Sequence, residues 1–390
     1  MKKQLLLIIY FLPALIWSQT DFSQSWEDFY SYNNVKDFIK VETKIYAVTD
    51  NAVFIYDILT KEVEKLSSVK GLSGNTTASI YFSEEFQRLV IGYQTGLIEI
   101  VDNDGKITIA NDIERLNITG EKEIRHISQH NNNLYLSTPF AIVVYDIEKL
   151  QFGDTYFIGN NSSTVSINQI NIIEDIIYAA TEIGIFTADV TSPNLIDFNN
   201  WQQPQGDFTG DFQTLVNFGN RLYTSKLSGF YEVIDQSSLQ SINFLPDNIL
   251  MLKSSEDYIT VTTRKSAYVY DTALNQVAVT NTSLEFDYNL QSSYTEKSDI
   301  YLGTAEYGIL QASFSNINDY IEIHPQGPTS NDVFSISAEN NNLWVVYGGY
   351  DGAFTPLYRR TGFGHYNGED WSNTPYNPSF PARDLVHITV

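Results

Sequence analysis

The segment KIYAVTDNAVFIYD, residues 44–57, contains two short apolar strands joined by a tight turn, and its pattern returns along the whole chain. The first strand recurs as RLVIGY (88–93), NLYLST (133–138), IIYAAT (176–181), RLYTSK (221–226), YITVTT (258–263), DIYLGT (299–304) and NLWVVY (342–347). Counting the copy at 44–49, there are eight copies of this first strand. After each of the first seven copies, a short loop leads to a small residue that opens the second strand: Ala52, Gly96, Ala141, Gly184, Gly229, Ala267 and Gly308. A bulky side chain there would resist the turn or crowd a neighbouring unit.

The spacing of these small residues predicts the architecture. Successive positions are between 38 and 45 residues apart, which is the period of blades built from four short strands. The second strands are rich in β-branched and aromatic residues, and outer strands such as EVEKLSS (62–68) follow them. The sequence therefore predicts an all-β fold, a seven-bladed β-propeller followed by the start of a second β-propeller. Closing seven blades into a ring removes exposed sheet edges.

The repeat also predicts how the ring closes. We name the four strands of a blade a to d, from the axis outwards. The segment WEDFYSY (26–32) precedes the first a strand, and its tryptophan has counterparts in d position at Trp201 and Trp371. We expect residues 26–32 to pair with the c strand at 308–314 and to close the last blade of a propeller spanning residues 19–318.

Residues 319–390 are then left over, with YIEIHP (320–325) as a spare d strand and NLWVVY as a new b strand. We expect them to form the first blade and the beginning of a second propeller. One and a half blades cannot bury their own faces, so we expect the chain to be truncated and its natural form to continue beyond Val390.

The N-terminus has the pattern of an export signal. Lys2 and Lys3 precede an apolar run at residues 5–16, and the small residue Ser18 follows it. This order is typical of a cleaved signal peptide, predicted here as residues 1–18. The alternative, a membrane anchor, is disfavoured because twelve apolar residues fall short of the roughly 20 that span a bilayer. We therefore expect an exported protein.

Composition excludes several classes of protein. The 390 residues contain no cysteine, which removes disulfide scaffolds, thiolate metal sites and cysteine nucleophiles. Acidic residues outnumber basic ones by 47 to 23, giving a net charge of -24. Such a surface repels phosphate backbones, so we predict no nucleic-acid partner.

The sequence shows no recognisable set of catalytic residues. His126 and His130 have the i, i+4 spacing of a helical metal site, but on a predicted strand residues four apart lie about 13 Å apart. We interpret them as ordinary strand and turn residues. The sequence also lacks the H-E-x-x-H, G-x-S-x-G and P-loop motifs. We predict no catalytic residue, no metal site and no cofactor.

One electrostatic feature predicts a ligand site. Lys226, Arg264 and Lys265 lie in the predicted turns between the b and c strands of two adjacent blades, and such turns share one face of a propeller. We expect these three residues to bind phosphate or carboxylate groups of a polysaccharide or lipopolysaccharide, with Arg264 supplying a bidentate fork. The alternative is that they are solvated loop charges.

Two connections between blades carry a shared motif. GLSGNTTASI (71–80) and GPTSNDVFSI (327–336) keep Gly, Asn and Ile at one spacing, and NNLWVVYGGYDG (341–352) follows the second. These stretches resemble the repeat of the two-component-regulator propeller superfamily. Together with the signal peptide, the weak first propeller and the long insert at 348–371, they make the chain similar to the N-terminal half of the PorZ-like proteins of the type IX secretion system.

The resemblance implies a scaffold rather than an enzyme. PorZ-like proteins have two propellers and a C-terminal β-sandwich, and they lie at the cell surface or outer membrane. There they are expected to bind anionic lipopolysaccharide and to join an attachment complex with the sortase PorU, the barrel PorV and PorQ. Two alternatives stay open: a periplasmic glycan-sensing ectodomain of a two-component regulator, and a secreted propeller enzyme.

Overall fold

The computed structural model describes residues 26–379 and 384–389, so the predicted signal peptide at 1–18 lies outside the described residues. The chain folds into eight antiparallel sheets, each made of strands that are consecutive in sequence. The predicted all-β fold is therefore confirmed. Within the described ranges, no helix is long and apolar enough to cross a membrane.

The strands of the first four sheets are β1 (Asp37–Val41), β2 (Lys44–Val48), β3 (Val53–Asp57) and β4 (Val63–Leu66); β5 (Thr77–Ser83), β6 (Arg88–Tyr93), β7 (Ile98–Val101) and β8 (Ile107–Ala110); β9 (His126–His130), β10 (Asn133–Ser137), β11 (Ile142–Asp146) and β12 (Gln151–Tyr156); and β13 (Ile167–Ile173), β14 (Ile176–Thr181) and β15 (Ile185–Asp189). Short helical turns lie at Ser68–Lys70, Asp112–Arg115, Asn160–Ser162, Phe198–Asn200 and Gly206–Phe208.

The strands of the last four sheets are β16 (Thr214–Phe218), β17 (Arg221–Lys226), β18 (Gly229–Val233) and β19 (Leu239–Phe244); β20 (Ile249–Ser254), β21 (Ile259–Thr263), β22 (Ala267–Tyr270) and β23 (Gln276–Val279); β24 (Leu290–Glu296), β25 (Asp299–Thr304), β26 (Ile309–Ser313) and β27 (Asn316–Ile323); and β28 (Ser335–Glu339), β29 (Asn342–Val346), β30 (Phe363–Tyr366) and β31 (Trp371–Thr374).

Seven of the sheets form a closed ring. Their first strands contact one another in chain order, and β1 also contacts β24, which brings the first and seventh blades together. The eighth sheet, β28–β31, follows this ring in the chain. Each of the eight recurring sequences of the repeat forms the second strand of its sheet, as predicted.

Apolar side chains from neighbouring blades pack against each other and hold the ring together. Between the third and fourth blades, for example, Tyr135 and Ile142 belong to one buried cluster with Ile170, Ile177 and Phe186. Burying a side chain of this size stabilises the fold by about 1.5–3 kcal/mol. This packing explains why a protein with no cysteine can form a stable ring.

The small residue after the second strand is required by crowding. A Cβ atom built at Gly308 would lie 2.8 Å from the carbonyl oxygen of Ile323, too close for any real side chain. Gly308 also has a φ of +64°, which glycine adopts most readily. A feature that the sequence analysis missed stabilises the same turn: a threonine hydroxyl donates to a turn carbonyl 2.6–3.0 Å away, as in Thr49–Ala52, Thr138–Ala141, Thr181–Gly184, Thr263–Ser266 and Thr304–Gly308.

The prediction for ring closure was wrong. The strand that pairs with β26 is β27, which contains most of the segment predicted to be a spare strand. Residues 26–32, all of them within the described range, form no strand. The chain leaving β26 turns back almost at once, since Ser313 pairs with Asn316. Closing this short hairpin costs far less entropy than recruiting a segment from the other end of the chain.

The last strand of the ring ends at Ile323, so the predicted boundary at residue 318 falls inside β27. Of the tryptophans expected in d position, Trp371 begins the outer strand β31. Trp201 is buried beside the bridge between Thr187 and Gln202, but Trp26 is 72% exposed. That the eighth sheet begins a second propeller stays a prediction.

Candidate functional site

The three predicted ligand-binding residues lie in neighbouring turns. Lys226 ends β17, and Arg264 and Lys265 lie in the turn between β21 and β22. Ile249 connects the two turns, because its N–H donates to the carbonyl of Leu227 at 2.9 Å and it pairs with Thr263. The structure therefore brings the turns of the fifth and sixth blades together on one face of the ring.

Each cationic side chain already has a partner within the protein. The Nζ of Lys226 donates to the carbonyl of Thr209 at 2.6 Å, and the Nε of Arg264 donates to Asn289 Oδ1 at 2.9 Å. Lys265 forms an ion pair with Asp287 at 2.7 Å, and the Asp287 side chain is 77% exposed. Exposed pairs of this kind contribute about 0–1 kcal/mol, so an incoming anion could displace Asp287 at little cost.

Exposed apolar side chains, which the repeat pattern did not predict, occupy one of these turns and the strand ends bonded to it. Leu227 is 62% exposed and occupies the turn at a φ of +53°, a conformation that is uncommon for a branched residue. Phe244 and Leu250 are also exposed, and the adjoining backbone of Leu245 and Ile249 is hydrogen-bonded to this turn. Cationic and apolar groups thus share one surface, which we call the blade 5–6 surface (Lys226, Leu227, Phe244, Leu250, Arg264 and Lys265).

The central channel of the ring contains a cavity of about 550 Å³ lined by the innermost strands. Its charged side chains bind one another: Lys253 pairs with Asp37, and Lys40 pairs with Glu296 at 2.6 Å. Lys253 also lies 4.7 Å from the centre of the Phe38 ring. The charges in this cavity are therefore neutralised in pairs by the protein itself.

His126 forms part of the channel wall, at the start of β9. Its Nε2 lies 3.2 Å from the amide nitrogen of Gln169, and its shielded Nδ1 has no hydrogen-bond partner among the described residues. Burial lowers the pKa of the imidazole to about 4, so the ring is neutral near pH 7. His130 lies at the other end of the same strand. In the described part of the chain, no cluster of His, Asp and Glu side chains could hold a metal ion.

Comparison with known proteins agrees with this architecture. Residues 45–202 match the family model of the N-terminal β-propeller domain of PorZ, a type IX secretion protein. This match confirms the predicted resemblance over these residues. No curated protein matches the sequence.

Two solved structures share the fold. PorZ of Porphyromonas gingivalis superposes with a TM-score of 0.73 and 18% sequence identity, over 90% of this chain and 46% of that protein. Raptor of Chaetomium thermophilum superposes with a TM-score of 0.56 and 11% identity, over 75% of this chain and 28% of that protein. The chain thus spans about half the length of the PorZ structure that it matches, and identities this low establish the fold alone.

Proposed function

We propose that this chain is a PorZ-like β-propeller of the type IX secretion system and that it acts as a non-catalytic scaffold at the cell surface. It binds anionic lipopolysaccharide and joins the sortase PorU, the barrel PorV and PorQ in an attachment complex. The observation that carries this proposal is the match of residues 45–202 to the PorZ propeller, within a ring whose channel charges are already paired.

The proposed location rests on two further points. The solved PorZ of Porphyromonas gingivalis is described as an essential bacterial surface component of its secretion system. The predicted signal peptide of this chain would direct its export across the inner membrane. Surface exposure on intact cells, measured by protease accessibility, would support the location. Protection from protease until the outer membrane is opened would favour the periplasmic alternative.

The blade 5–6 surface is the proposed lipopolysaccharide site. Lipopolysaccharide presents phosphate and carboxylate groups together with acyl chains, and this surface carries Arg264 and Lys265 together with the exposed Phe244 and Leu250. A guanidinium can bind a phosphate through two parallel hydrogen bonds. The exposed apolar groups would add contact area for the hydrocarbon part of the ligand.

Charge reversal tests this site. We expect Arg264→Glu with Lys265→Glu to weaken binding to purified anionic lipopolysaccharide by about tenfold or more, since each lost charged hydrogen bond contributes about 1.5–3 kcal/mol. Lys61→Glu with Lys106→Glu is the matched control, because it makes the same change of charge at turns on the opposite face. Equal binding by both variants in a pull-down would refute the site.

The proposed partners are tested separately. Full-length protein carrying an affinity tag should copurify with PorU, PorV and PorQ from membranes solubilised in mild detergent. Recovery of the tagged protein without any of the three, under conditions that keep PorU and PorV together, would contradict membership of the complex.

A further inference from the structure

The segment of residues 27–35 joins the two ends of the ring, and we call it the N-terminal clip. It is anchored on the first blade through Asp28, whose carboxylate accepts hydrogen bonds from Tyr32 at 2.8 Å and from Ser67 at 2.6 Å. Tyr32 is fully buried, and its ring packs edge-on against Phe54 at 6.1 Å. This end of the clip is therefore a fixed part of the first blade.

The clip then crosses to the seventh blade and forms the seam of the ring. The N–H of Val35 donates to the carbonyl of Thr304 at 2.8 Å, and the N–H of Gly308 donates to the carbonyl of Asn33 at 2.7 Å. These two backbone hydrogen bonds join the clip to the turn between β25 and β26 of the seventh blade. Loss of either would leave a poorly solvated backbone group without a partner.

The clip also binds the eighth sheet and the connection that leads to it. Asn331 Oδ1 accepts from the N–H of Ser31 at 2.7 Å, and Asn331 Nδ2 donates to the carbonyl of Ser31 at 3.1 Å. The ring of Phe29 lies 4.9 Å from that of Tyr366 and 5.6 Å from that of Trp371. The same short segment thus contacts the first blade, the seventh blade and the eighth sheet.

One carboxylate connects these contacts. Asp50 accepts from Asn34 Nδ2 at 2.7 Å and from Asn331 Nδ2 at 3.3 Å. Its two oxygens therefore bind one residue of the clip and one residue of the connection to the eighth sheet. A shift of the eighth sheet that moves Asn331 would remove one of the two hydrogen bonds that this carboxylate accepts.

We propose that the N-terminal clip is a strap that couples closure of the ring to docking of the unit that follows it. Docking of the eighth sheet immobilises Phe29 and Ser31. This restriction of backbone motion extends along the clip and stabilises the hydrogen bonds of Asn33 and Val35 at the seam. Release of the eighth sheet would loosen the seam while the other six junctions between blades stay intact. The ring would thereby sense whether its second unit is in place.

Hydrogen exchange tests this coupling in the full chain. Phe29→Ala removes aromatic contacts with the eighth sheet, because the ring partners of Phe29 are Tyr366 and Trp371. Phe29 is also 37% exposed, so the variant should fold. We expect exchange to rise by about tenfold in peptides that contain the amides of Val35 and Gly308, the change given by about 1.4 kcal/mol of local stability. Peptides from the third and fourth blades should keep wild-type exchange.

Asn331→Ala is a second variant and should give the same pattern. Asn243→Ala is the matched control, since Asn243 Nδ2 donates to Tyr270 at 2.8 Å and joins the fifth blade to the sixth. It should leave the seam unchanged. Wild-type exchange at Val35 and Gly308 in both clip variants would overturn the proposal, and so would an equal rise in the control. Neither outcome depends on the proposed secretion role.

Discussion

Lys253 and Asp37 form an ion pair inside the channel although their strands, β20 and β1, are separated in the ring by β24 of the seventh blade. Lys253 also donates to the carbonyl of Phe38. The pair therefore spans the seam on the channel side, whereas the N-terminal clip spans it at the edge of the blades. Both side chains are mostly buried, at 17% and 15% exposed, so the pair is shielded from salt.

Removing one partner of this pair should destabilise the ring. We expect Lys253→Met to lower the free energy of unfolding by about 2 kcal/mol, because it leaves the Asp37 carboxylate buried without its cation. The double variant Lys253→Met, Asp37→Asn should lose less than the sum of the two single variants. Urea unfolding followed by tyrosine and tryptophan fluorescence measures both quantities. Additive losses would show that the two residues are not coupled.

His126 should make the fold sensitive to acid. Burial lowers its pKa from 6.5 to about 4, so the unfolded chain takes up a proton at a higher pH than the folded chain does. The stability that this group contributes is present above pH 6.5 and is lost as the pH falls towards 4. Between pH 7 and pH 4, we expect the wild type to lose about 3 kcal/mol more than His126→Gln. Parallel stability curves for the two proteins would contradict this reading of the channel wall.

The small residue of the repeat can be tested at Gly308. Gly308→Ala places a Cβ at a positive φ and 2.8 Å from the carbonyl of Ile323. Gly105→Ala is the matched control: Gly105 has a φ of +76°, and beyond its chain neighbours no heavy atom of the described residues lies within 4 Å of a Cβ built there. Both substitutions place an alanine at a positive φ and incur the same conformational penalty. The additional loss of stability at Gly308 therefore measures crowding. We expect that excess to be about 1–3 kcal/mol in thermal unfolding, and equal losses would show that crowding does not select the glycine.

The repeat predicted the ring because its signal is local. Alternating apolar residues and a small turn residue identify each second strand from about 15 residues of sequence, and every one of these strands is observed. Ring closure depended instead on which of two segments pairs with the edge of β26, and the repeat pattern does not distinguish between them. The strand that pairs with β26 is β27, which follows it directly in the chain.

The sites show the same division between local and distant signals. The turn positions of Lys226 and Arg264 follow from the repeat, but their hydrogen-bond partners Thr209 and Asn289 belong to connections with no recurring pattern. Asn331 was visible as a motif residue, yet its partner Ser31 lies 300 residues away. Contacts of that separation depend on the closed ring, so they could not be read from spacing.

The most direct measurement of the central claim is surface display of type IX cargo in cells that lack this protein. Intact cells would be labelled for a cargo protein, with wild-type cells, a deletion strain and a strain complemented by the full-length gene compared side by side. The scaffold account predicts that the deletion strain loses cargo from its surface and that the wild-type gene restores it, while a gene without the predicted signal peptide at residues 1–18 does not. Normal cargo display in the deletion strain would contradict a role in the type IX secretion system.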